Sequence, residues 1–148
     1  MTGKDHLIGS AGELKPLDAQ ALADFREKVE ALTQEMNSRM EQRPDILRLV
    51  GKDNLDMMKD NHRNHMRYID TVLEHLEPKQ FVETVLWVFR AYRSHGFQIA
   101  YWPAQLDTWL EIFKERLDEA AFAQVYPFYK WMLVNQAAFV SLSVEDLA

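Results

Sequence analysis

Residues 81–131 read FVETVLWVFRAYRSHGFQIAYWPAQLDTWLEIFKERLDEAAFAQVYPFYKW and carry most of the chain's aromatic side chains. Their spacing is helical. Leu106, Trp109, Leu110, Phe113 and Leu117 recur every three or four residues and draw one apolar face, and Pro103 suits the first turn of the helix that carries them. Upstream, residues 79–94 form a helix that ends at Gly96, a residue that tolerates the left-handed conformation of a C-cap. Downstream, the spacing predicts one helix over about 119–140, kinked at Pro127, where an N–H is missing and the ring clashes with the preceding turn. Each buried aromatic removes roughly 150–250 Å² from water. That is more surface than a chain of this size needs to fold, so part of it is expected to line a ligand cavity.

Working outward, Asp18 is a suitable N-cap for a helix with Leu22, Phe25, Val29, Leu32, Met36 and Met40 on one stripe. Arg43-Pro44 ends it. Ile46–Val50 forms a short segment stopped by Gly51, after which Asp53 or Asn54 caps a long helix through Leu76, closed before Pro78. Residues 1–16 hold Gly3, Gly9 and Gly12 and little apolar pattern, and are expected to be a mobile arm. No segment sustains two-residue alternation with turn punctuation, so no sheet is expected. The fold class is all-α, a bundle of five to six main helices in one domain over 17–148.

The chain has 148 residues, enough for one domain that buries roughly two-thirds of its unfolded surface. It contains no cysteine, which excludes disulfides, thiolate metal sites and cysteine nucleophiles. The formal charge is −6. An acidic chain lacks the clustered Lys and Arg that phosphate backbones require, so nucleic acid is not an expected partner. No signal-peptide core and no run near the ~20 apolar residues of a membrane span occurs. A cytoplasmic location is expected.

The seam of the 54–76 helix runs Leu55, Met58, His62, His65, Ile69, Val72, Leu76, with imidazoles at two positions where hydrophobes are due. Such a pair can ligate a metal or haem, bond the polar head of a ligand, or sit in the core bonded to neighbouring groups. The spacing lacks the glutamate of a helical metalloprotease motif. His95, at a helix end, favours the negative end of the helix dipole when protonated. Neither a Gly-x-Ser-x-Gly elbow nor a phosphate-cradling glycine loop is present, and no catalytic residues, metal or enzyme activity are expected. The stripe Leu22 to Met40 approximates heptad spacing and is expected to mediate self-association into a homodimer.

The run from Val85 to Phe97, followed by Tyr101-Trp102 and by Leu106, Trp109, Leu110 and Phe113, resembles the second half of a globin, whose proximal helix ends in a turn of the form His-x-x-x-Gly-hydrophobe. In that alignment the proximal position falls on Tyr92, and the distal region falls on His62 and His65. A chain without the proximal histidine is similar to the haem-less sensor globins of bacteria. His65-Met66-Arg67-Tyr68, Phe81 to Trp87 and Gly96-Phe97 also resemble helical modules that precede cobalamin-binding domains. The globin resemblance implies a stand-alone sensor or ligand-binding domain without cofactor. Its pocket would lie between the 54–76 and 79–94 helices, closed by the last two and walled by His62, His65, Met66, Ile69, Phe89, Tyr92 and Trp109. The ligand would be a small apolar or amphipathic molecule such as a fatty acid. The alternatives are an interaction or dimerisation module without ligand, and a haem-binding globin-type sensor; the signalling partner is left unnamed.

Overall fold

The computed structural model describes residues 2–147, with side chains described to Ser143. Among the described residues every regular element is an α-helix: α1 (Gly3–Ala11), α2 (Ala19–Glu41), α3 (Ile46–Val50), α4 (Leu55–Glu74), α5 (Pro78–Arg93), α6 (Tyr101–Arg116), α7 (Glu119–Val134) and α8 (Gln136–Leu147). The all-α class stands. The number of helices does not, because the expected five to six become eight at the two ends of the chain.

At the N-terminus, the expected mobile arm is instead helix α1. Thr2 Oγ1 accepts from the Asp5 N–H at 3.1 Å while the Asp5 carboxylate accepts from the Thr2 N–H at 3.1 Å, a reciprocal capping box. Leu7 and Ala11 are buried, and α1 packs on α5 and α8. Ser10 Oγ accepts from Trp131 Nε1 at 2.9 Å. Ile8 and Leu14 pack half-buried against the same core, so the few apolar residues described in this segment are enough to dock it.

At the other end, the expected single helix continues through Pro127, which lies on an exposed face of α7. The break falls at Asn135. Asn135 Nδ2 donates to the Trp131 carbonyl at 2.8 Å and Gln136 Nε2 to the Met132 carbonyl at 2.9 Å, so two carbonyls orphaned by the break find side-chain partners. The turn brings Phe139 of α8 onto Phe89 and Trp131, with ring centroids 5.5 and 5.4 Å apart.

Helix α2 is central. Capped by Asp18, whose carboxylate accepts from the Ala21 N–H at 2.8 Å, it packs against α4, α6 and α7. Leu22, Phe25, Leu32, Met36 and Met40 are buried in this chain's own core and Val29 packs half-buried against it. The stripe read as a self-association seam is therefore internal. A second group of helices, α1, α5 and α8, packs together beside the first.

The two groups are tied at a corner. Gly51 and Gly96 both adopt φ of +100°, and a Cβ at Gly51 would come within 2.9 Å of Asn54 Nδ2. Asn54, expected to cap α4 through its side chain, instead donates from Nδ2 to the Val50 and His95 carbonyls, each at 2.7 Å. Beside it the Gln98 N–H donates to the Leu49 carbonyl at 2.7 Å. This clamp fixes the start of α4 against the end of α5.

Candidate functional site

Between α4 and α5 lies a cavity of about 350 Å³, within the size range of small-molecule pockets. Helix α4 contributes Asn61, Asn64, His65, Tyr68 and Ile69, which share a face at the spacing i, i+3, i+4, i+7, i+8. Helix α5 contributes Phe81, Thr84, Val85, Val88, Phe89 and Tyr92, with Trp87, 59% exposed, at the mouth. Trp102, Gln105 and Leu106 of α6, Met132 of α7, and Gln136 and Phe139 of α8 close the far side.

Of the residues singled out in the sequence, His65, Ile69, Phe89 and Tyr92 line this cavity, whereas His62, Met66 and Trp109 do not. Each step along a helix turns the side chain by about 100°. His62 and Met66, one residue beyond Asn61 and His65, therefore point into the core instead, where both are fully buried. Trp109 stands behind His65, stacked on its imidazole at 5.4 Å and on Phe113 at 5.5 Å. The other lining residues, among them Asn61, Tyr68, Phe81, Trp102, Gln105 and Gln136, are not singled out by the sequence. Gln105 is a polar residue at a buried position among Trp102, Leu106 and Trp109 of α6, the same signal that the two histidines give on α4.

Behind the cavity runs a buried polar network. His62 Nδ1 meets Asn37 Oδ1 at 2.7 Å, and His62 Nε2 meets the Tyr101 hydroxyl at 3.2 Å. The Tyr101 hydroxyl also lies 2.9 Å from Asn61 Oδ1, and Gln105 Nε2 donates both to Asn61 Oδ1 and, at 3.0 Å, to the Tyr101 hydroxyl. With Nδ1–H donated to Asn37, the Tyr101 hydroxyl donates to Asn61 Oδ1 at 2.9 Å, and the His62 Nε2 lone pair lies beside the same hydroxyl at 3.2 Å, so the network holds together without charge. His65 Nε2 meets the Tyr129 hydroxyl at 2.6 Å. Burial, with a smaller contribution from His65, pushes the His62 pKa down to about 3, and burial alone pushes His65 to about 4. Burial raises the Tyr101 and Tyr129 hydroxyls well above the ordinary phenol range. All these groups are neutral at pH 7.

Ring packing shapes the cavity wall. Phe89 stacks on Trp102 at 5.0 Å and Tyr92 meets Trp102 edge-on at 5.8 Å. Trp102 Nε1 and Gln136 Oε1 are buried atoms without a hydrogen-bond partner among the described residues. These residues do not fit a haem. His62 has both ring nitrogens engaged, His65 shares its Nε2 with Tyr129, and the Tyr92 ring is wedged against Phe97 and Trp102. Among the described residues no group of three or more His, Cys, Asp or Glu side chains is placed to hold a metal ion, and no helix is long and apolar enough to cross a membrane. Comparison with protein-family models, curated proteins and solved structures found no match for this chain.

Proposed function

We propose that this chain is a non-catalytic ligand-binding or sensor domain that takes a small amphipathic molecule between α4 and α5, in a globin-like arrangement of α4 to α8 that works without haem. The observation that carries the reading is the cavity itself. A space of about 350 Å³, open at Trp87, is walled by the rings of Tyr68, Phe81, Phe89, Tyr92 and Trp102, a size and lining that suit a small-molecule pocket. Ring faces supply apolar contact, and the amides of Asn61, Gln105 and Gln136 supply orientation.

Native mass spectrometry of the purified protein, recorded beside its visible absorption spectrum and a titration with naphthalene followed by tryptophan fluorescence, tests this. Saturable binding that is lost in Val85→Trp, a substitution that fills the cavity, supports the reading. Absence of any bound species together with no response to naphthalene contradicts it, and a Soret band with stoichiometric iron replaces it with haem binding.

A further inference from the structure

The cavity between α4 and α5 has a length as well as a volume. Only residues 75–77 join the two helices. They run antiparallel, tied at one end by the Tyr68 and Phe81 rings, 6.4 Å apart, and at the other by Asn54 Nδ2 on the His95 carbonyl at 2.7 Å. Between these ties they are not among the helix pairs that pack closely, and a slot remains. Its lining runs from Asn61 to Ile69 on α4 and from Phe81 to Tyr92 on α5, which at about 1.5 Å per residue is about 12 Å on one wall and about 16 Å on the other. Spread over that length, 350 Å³ leaves a cross-section of about 20–30 Å², room for one hydrocarbon chain or one ring edge-on.

The slot is also uncharged. No Lys, Arg, Asp or Glu is among the described residues that line it, and burial pushes the His65 pKa down to about 4, which leaves that imidazole neutral at pH 7. A carboxylate laid in this space would give up its hydration with no counter-charge in return. From this geometry we infer that the slot is matched to an extended, uncharged amphiphile, a straight-chain alcohol, amide or ester of about ten to twelve carbons, which at about 1.3 Å of advance per C–C bond spans the lined length. The inference rests on the ligand-site reading above. Methylenes within the slot leave water and add affinity, whereas those beyond its length stay in water and add none.

The test uses the full chain at pH 7.5 and a homologous series, 1-hexanol to 1-tetradecanol in steps of two carbons, read by isothermal titration and tryptophan fluorescence. Affinity should rise about fourfold per carbon, the transfer free energy of one methylene, as far as about ten to twelve carbons, and then level off. Cyclododecanol holds the same number of carbons as 1-dodecanol in a compact ring, and should bind about tenfold or more weakly; so should dodecanoate, for its charge. Val85→Phe narrows the slot one turn from Phe81, and should move the break to shorter chains while leaving 1-hexanol within about twofold. Affinity that climbs through 1-tetradecanol, cyclododecanol or dodecanoate binding as tightly as 1-dodecanol, or a break that Val85→Phe leaves in place would each overturn the inference, while saturable naphthalene binding keeps the ligand site. If neither the alcohols nor naphthalene bind, the ligand-site reading fails with it.

Discussion

His62 shows how a polar residue holds an apolar position. Its two nitrogens are both engaged, to Asn37 and to Tyr101, and Tyr101 is in turn bonded by Gln105. Replacing Tyr101 by Phe removes the hydroxyl that His62, Asn61 and Gln105 share, and should cost about 1–3 kcal/mol in urea unfolding, the price of leaving buried partners unmatched. The histidines also set a pH dependence. In the unfolded chain they take a proton near 6.5, whereas in the folded chain His62 stays neutral to about 3 and His65 to about 4. The unfolded state therefore binds more protons between these values, and stability falls as pH drops below 6.5 by up to about 1.4 kcal/mol per pH unit for each histidine. Urea midpoints at pH 7.5 and 5.0 measure this, and His62→Gln should flatten the slope. At this scale the sequence shows that positions 62 and 65 are anomalous but not their partners. Asn37, Tyr101 and Tyr129 come from distant helices whose placement depends on packing.

Among the helices, α2 and α1 are the ones whose roles depend on tertiary context. A heptad-like stripe has the same pattern whether it meets a partner chain or its own domain, and α4, α6 and α7 cover it here. Met36, fully buried, decides between the two. Met36→Glu should abolish cooperative folding, at a cost of about 3 kcal/mol or more for an unpaired buried charge, instead of yielding a folded protein with altered self-association; circular dichroism and sedimentation separate the outcomes. Deleting residues 1–12 should cost about 3 kcal/mol, because Leu7 and Ala11 leave the core and Trp131 Nε1 loses Ser10. A detached arm would give no change. The boundaries set by Asp18, Pro44, Gly51 and Pro78 were legible because caps and breakers act locally. The break at Asn135 was not, since no glycine or proline marks it and the side chains that satisfy its carbonyls also suit a continuing helix.

For the whole molecule, the helix groups around α2 and around α5 leave the cavity between them, clamped at one end by Asn54. Removing that clamp with Asn54→Ala should lower stability by about 1 kcal/mol, since it deletes two hydrogen bonds, one part-buried and one exposed, and should weaken naphthalene binding in the same titration. The two helices between which the cavity lies are the pair that the globin resemblance implies, and aromatic spacing alone does not single them out. The lining was legible only in part, because a rotation of one residue on α4 separates His65 and Ile69, which face the space, from His62 and Met66, which do not. If the space between α4 and α5 receives a small molecule, methyl NMR of the protein titrated with 2-naphthol shows it. Saturable shifts are expected at Ile69, Val85, Val88, Leu106 and Met132, with Met36 and Met40 in the α2 core unmoved. Shifts scattered over the surface, or none at saturating probe, would contradict it.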